Sequence, residues 1–153
     1  DWMRQLAESK GLQFETHIDE CQLYTDIRRL KRVMGNLLFN AVEHTFEGSV
    51  SLRYRRQGGV HQFEIRDTGP GMILDLLNNK YAVQSSFGSD LPKTGLGLYV
   101  VKRLCWEMDW NLSVQNELSG GTTFTLELAD QLPQVNAGES AEPPPANLNV
   151  HLP

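Results

Sequence analysis

Two Gly-Gly pairs, each set beside runs of alternating apolar and polar residues, constrain this chain more than any other feature. Val50, Leu52 and Tyr54 alternate with Ser51, Arg53 and Arg55. Beyond Gly58-Gly59, Phe63 and Ile65 alternate with Gln62, Glu64 and Arg66. A period of two puts one set of side chains on one face of a strand, and a Gly-Gly step between two such runs predicts a hairpin. Leu112 and Val114 mark a further strand. Gly120-Gly121 then turns into a last one, where Phe124, Leu126 and Leu128 alternate with Thr123, Thr125 and Glu127. Near the start, Leu12, Phe14 and Ile18 against Gln13, Glu15 and His17 predict a first half-buried strand.

Helical spacing separates these runs. Residues 2–10 read as a short helix capped by Gly11. From Asp26 a longer one is predicted, with Leu30, Val33, Met34, Leu37, Leu38, Ala41 and Val42 on one stripe. A third, at about 95–109, turns Val101, Leu104, Cys105 and Met108 inward. The predicted fold class is α+β. It is a two-layer α/β sandwich with a mixed, mostly antiparallel sheet of about five strands and about three helices on one face.

At 153 residues with net charge −5, the chain is long enough for one domain with its own core. It lacks the clustered basic surface a nucleic-acid partner needs. Cys21 and Cys105 form no CxxC, and Cys105, on an apolar helix face, reads as a buried reduced thiol suited to a reducing cytosol. No apolar run approaches the roughly 20 residues that cross a bilayer, and no signal-peptide pattern opens the chain. Asp1 falls inside an apparent helix, so more sequence is expected before it. Residues 68–94 read as a long, mostly irregular loop, a length usually kept for function. Residues 1–131 are expected to form the domain and 132–153, with Pro143-Pro144-Pro145, a disordered tail.

Four segments carry chemistry. Asn36, Asn40 and His44 stand four apart on the long helix and so share one strip. Asparagine suits helix interiors poorly, and its amide oxygen is a hard ligand fit for Mg²⁺. Two solvated asparagines on an exposed face explain the same pattern. Asp67-Thr68-Gly69-Pro70-Gly71-Met72 follows a strand. Its carboxylate can accept from an exocyclic amine such as that of adenine, and its glycines let backbone approach a flat ring, although an ordinary turn reads the same way. Thr94-Gly95-Leu96-Gly97-Leu98 opens a helix whose free amides and dipole favour phosphate. It has neither P-loop nor dinucleotide spacing, and a plain helix start packed through glycines is the bland alternative. Gly120-Gly121-Thr122 alone is a hairpin turn.

Taken together and in this order, the four resemble the ATPases and kinases that include sensor histidine kinases, DNA gyrase, MutL and the large heat-shock chaperone. Residues 26–45 resemble the asparagine box, 67–72 the first glycine box and 94–101 the second. The resemblance covers roughly residues 1–130. Asn36 and the Thr-Gly-Leu-Gly-Leu run are most similar to histidine kinases, since hydrolytic members generally carry a glutamate in place of Asn36.

The resemblance implies ATP and Mg²⁺ as cofactors in a sandwich with a mobile lid. Asn40 would hold the metal, and Asn36 would line the phosphates as the residue nearest the reaction. Asp67 would read the adenine amine, with Thr122 helping through water. Gly69, Gly71 and Met72 would shape the adenine pocket, with His44 beside the nucleotide. Thr94, Gly95, Leu96, Gly97 and Leu98 would cradle phosphate.

Two positions depart from the family. Glu43 stands where many members carry Lys or Arg, and Lys93 stands where a glycine usually precedes the second box. Lys93 is taken as the phosphate-facing cation that Glu43 cannot be, and Phe87 is the single candidate for the phenylalanine box. None of His17, His44, His61 and His151 lies in a phospho-acceptor helix; His17 and His61 read as solvated or structural. The resemblance therefore implies phosphoryl transfer to a histidine on a separate dimerisation domain and onward to a response regulator. The parent would be a homodimer in the bacterial inner membrane, this part a cytoplasmic monomer without direct membrane contact. An anti-sigma-type serine kinase and a degenerate, nucleotide-free docking module are the alternatives.

Overall fold

The computed structural model describes residues 2–71, 94–131 and 149–151. Three helices, α1 (Trp2–Ser9), α2 (Ile27–His44) and α3 (Thr94–Glu107), accompany six strands. These are β1 (Gln13–His17), β2 (Ser49–Gln57), β3 (Val60–Asp67), β4 (Asn111–Asn116), β5 (Thr122–Ala129) and β6 (Asn149–His151). The sheet order is β1-β2-β3-β5-β4-β6. β1 lies parallel to β2 and β6 parallel to β4, while the three central pairs are antiparallel.

The β2–β3 hairpin closes through Gly58 and Gly59, whose φ angles of +58° and +81° suit a two-residue turn that side chains resist. Its register sets Leu52 opposite Ile65 and Tyr54 opposite Phe63, so the apolar sets share one face. β5 continues that face with Phe124, Leu126 and Leu128. Against it α2 lays Leu30, Val33, Leu37 and Ala41, and α3 lays Val101 and Cys105, all buried.

Asp26 caps α2, its Oδ1 accepting from the amides of Arg28 (3.0 Å) and Arg29 (3.2 Å). α3 ends sooner than expected, at Glu107. Asp109 takes a left-handed φ of 56° there, and the amide of Trp110 turns back to the carbonyl of Cys105 (2.8 Å).

One strand expectation changes. Ile18 lies beyond the end of β1 and is exposed, so only Leu12 and Phe14 of that run enter the core. To the expected mixed, mostly antiparallel sheet, residues 149–151 add a short sixth strand. β4 would otherwise present unpaired backbone groups, and the short parallel strand meets them. The remainder of 132–153, and residues 72–93 of the long loop, lie outside the described residues.

His61 is structural. It is fully buried, with Nδ1 2.8 Å from the Tyr54 hydroxyl and Nε2 3.0 Å from Asp130. His17 is exposed beside Glu15.

Candidate functional site

The C-terminal half of α2 faces the ends of β3 and β5. Asn40, at 5% exposure, is buried there, and its Nδ2 has no hydrogen-bond partner among the described residues. Buried amides are nearly always satisfied, so this donor is open to a further partner in the cleft. Asn40 shares a cleft with His44, Asp67, Gly71, Thr122 and Phe124. His44 is exposed at the helix end.

Asp67 closes β3 between Val50 and Thr122. Its Oδ1 accepts from the amide of Gly69 (2.9 Å), which points the carboxyl along the cleft. Burial pushes its pKa above the ordinary carboxylate range, against the backbone hydrogen bonds of Gly69 and Thr122 and the nearby His44. A buried carboxylate with acceptor capacity left over is poised for a ligand N–H.

Close packing fixes these groups. A Cβ on Gly69 would stand 2.9 Å from the carbonyl of His44 and 3.0 Å from Asp67 Oδ1. Gly121 has φ +101°, and a Cβ there would come to 2.0 Å from the carbonyl of Asp67. Any side chain at Gly121 would push β5 off β3 at the point where Asp67 is held.

α3 completes the cleft. A Cβ on Gly97 would lie 3.0 Å from Asn36 Oδ1, so the second glycine box meets the asparagine strip directly. Asn36 Nδ2 donates to the carbonyl of Arg32 (2.8 Å), which orients its oxygen toward that junction. Leu98 is buried behind it. Backbone places Thr94, Gly95 and Leu96 in the first turn of α3, while Met72, Phe87 and Lys93 lie outside the described residues.

Three further residues belong to the arrangement. Asn116 pairs with Thr122, whose Oγ1 donates to its Oδ1 at 3.4 Å, and that oxygen lies 3.3 Å from where a Cβ on Gly71 would be. The hairpin register around Gly120-Gly121 is the signal that would have found it. Thr45 is buried and donates to the carbonyl of Ala41 at 2.7 Å, securing the end of α2. Lys10 meets Glu43, its Nζ 3.7 Å from Oε1, so this carboxylate is matched by a cation from the end of α1.

A metal fits only with outside help. Among the described residues no group of three or more His, Cys, Asp or Glu side chains could hold one. Asn40 alone suits an ion that takes most of its ligands from phosphate and water, which is the habit of Mg²⁺. A second depression, on the sheet face away from the helices, is lined by Glu15, Arg53, Glu64 and Arg66 among others. Arg53 stands directly opposite Glu64, so its charges compensate one another. The orphaned amide lies in the α2 cleft.

A buried carboxylate, an asparagine strip and a glycine-rich helix start around one cleft define a nucleotide-binding domain of the gyrase and kinase type. The chain belongs to the family of histidine kinase-, DNA gyrase B- and HSP90-like ATPases, whose pattern matches residues 25–132. Among its relatives, the aerobic respiration control sensor protein ArcB of Escherichia coli K12 is 35% identical over 131 residues, 80% of this chain and 17% of ArcB. The autoinducer 2 sensor kinase/phosphatase LuxQ of Vibrio vulnificus YJ016 is 32% identical over 138 residues, 82% of this chain and 16% of LuxQ. Full-length ShkA, solved with AMPPNP, superposes with a TM-score of 0.66 at 28% identity over 86% of this chain and 30% of ShkA. The catalytic domain of histidine kinase ThkA gives 0.66 at 20% identity over 84% of this chain and 90% of that one, a likeness of fold. The chain is thus a domain of this ATPase family, similar to sensor kinases and spanning about a sixth of the length of those curated relatives. No helix among the described residues is long and apolar enough to cross a membrane.

Proposed function

We propose that this domain binds ATP with Mg²⁺ in the α2 cleft and presents the γ-phosphoryl group to a histidine on another domain of its parent protein. The observation that carries the reading is the cleft itself, where Asn40, buried at 5% exposure with its Nδ2 unpartnered among the described residues, faces the buried carboxyl of Asp67. Asp67 accepts from the adenine amine while Gly69 and Thr122 hold its carboxyl in place. Asn40 offers its amide oxygen to the metal, and Asn36 and the first turn of α3, Thr94 to Leu98, meet the phosphates. Met72 and Lys93 belong to the same proposal, the first at the adenine, the second as a phosphate-facing cation. Mg²⁺, when bound, neutralises phosphate charge in the transfer.

In-line phosphoryl transfer needs positioning and charge neutralisation more than a protein nucleophile. Asn36, an amide, cannot take a proton from water, and Glu43 is held by Lys10. That favours an acceptor already nucleophilic when neutral, such as an imidazole nitrogen, which bonds to phosphorus as the bridging oxygen leaves with ADP. The parent protein is proposed to be a membrane-anchored homodimer, this part lying in the cytoplasm, with a response regulator receiving the phosphoryl group from the histidine.

The test is incubation of the full-length parent protein with γ-labelled ATP. Acid-labile label that Asn40→Ala abolishes supports the reading. Acid-stable label would point to a serine kinase, and no label under conditions where ATP binds would overturn transfer.

A further inference from the structure

Lys10, just beyond α1, reaches across to the end of α2. Its Nζ donates to the carbonyls of Val42 (2.9 Å) and Glu43 (3.3 Å) and lies 3.7 Å from the Glu43 carboxylate. Cations are favoured at helix C-termini, where the last carbonyls lack partners. Glu43 stands three residues from Asn40 and seven from Asn36, so the three side chains rise from one face of the helix. An unrestrained carboxylate on that face would oppose phosphate charge across roughly two helical turns.

The last turn also abuts the adenine end. The carbonyl of His44 and Oγ1 of Thr45 lie 2.9 Å and 3.3 Å from where a Cβ on Gly69 would be, and the amide of Gly69 orients Asp67.

We propose that Lys10 is a positioning residue for the nucleotide site: by pairing with Glu43 at the last turn of α2 it draws that carboxylate off the phosphate-binding face. The inference rests on the nucleotide reading above. It explains how a chain with an acid at position 43 keeps a site for an anion. It also ties the site to α1, the first element of the chain.

The test compares wild type, Lys10→Met, Glu43→Gln and the double variant in calorimetric titrations with ATP, ADP and adenosine, in EDTA at low salt, with a thermal melt of each. A charge that acts on phosphates must discriminate by phosphate count. Lys10→Met is expected to weaken ATP about tenfold, ADP less, and adenosine under about twofold. The double variant is expected to return ATP to within about twofold of wild type. Glu43→Gln alone, which leaves the carbonyl bonds of Lys10 intact, is expected to tighten ATP up to about threefold without moving adenosine. Equal weakening of all three ligands by Lys10→Met, unchanged ATP affinity, or failure of Glu43→Gln to rescue would overturn the proposal. Wild type that binds no adenine ligand would overturn the nucleotide reading and this inference together. Wild type that binds while Lys10→Met changes nothing would overturn this inference alone.

Discussion

Replacing Asp67 by asparagine is expected to stabilise the domain while removing its nucleotide affinity. The wild-type carboxyl is 6% exposed and held above the ordinary carboxylate range by burial. Between the unfolded value and the raised folded one, the folded chain keeps a proton that the unfolded chain has lost. Stability therefore falls as pH rises through that window, and the deficit persists above it. Asparagine has nearly the same shape, keeps one oxygen to accept from the backbone amides of Gly69 and Thr122, and carries no charge to bury. A gain on the order of 1 kcal/mol at neutral pH is expected, shrinking as pH falls through that same window toward the ordinary carboxylate value.

Binding moves the other way. The second carboxylate oxygen becomes an NH₂ donor that faces the adenine amine, also a donor. Losing a charged acceptor and leaving that amine unpaired costs about 2–4 kcal/mol, or roughly 30- to 1,000-fold in Kd. Calorimetric titration with ADP and urea melts at pH 5 and 7.5 read both effects. Asp67→Asn that binds ADP within threefold of wild type, or that is less stable than wild type at pH 7.5, would refute the reasoning.

Other consequences are local. Gly121→Ala forces a left-handed φ on a side chain that has no room, and is expected to cost about 3 kcal/mol or more in urea unfolding. His61→Phe leaves the Tyr54 hydroxyl buried without its imidazole partner, and a loss of about 1–3 kcal/mol is expected, with ADP affinity unchanged because the network lies outside the cleft. Burial pushes the Cys105 thiol up to about 12. At pH 8 only about one molecule in ten thousand carries its thiolate, so iodoacetamide on the native domain should modify exposed Cys21 alone, and both cysteines once urea is added. Two adducts on the native protein, read by mass spectrometry, would contradict the buried placement.

Where the signal is local, the fold is legible in the sequence. The β2–β3 hairpin needs only its alternation and Gly58-Gly59, and α2 needs only Asp26 and a 3.6-residue stripe. The site is legible for a different reason: Asn40, Asp67, Gly97 and Thr122 are each ambiguous, and their order along the chain removes the ambiguity. What the sequence hides is non-local. Nothing periodic joins Lys10 to Glu43, 33 residues apart. Asn116 reaches the cleft only through the β4–β5 register. Ile18 continues an alternation that β1 does not: pairing ends at His17, opposite Arg53, although β2 runs on to Gln57. β6 comes from a stretch whose composition argues against structure, and it forms because β4 offers backbone to pair with.

The central claim is that adenine nucleotide occupies the cleft between α2, α3 and the ends of β3 and β5. Amide chemical-shift mapping of the domain during an ADP titration with Mg²⁺ tests it most directly. The account predicts shifts concentrated at Asn36–Thr45, Asp67–Gly71, the first turn of α3 and Asn116–Thr122, with the outer sheet face around Arg53 and Arg66 silent. Shifts centred on that outer face, or none at millimolar ADP, would contradict it.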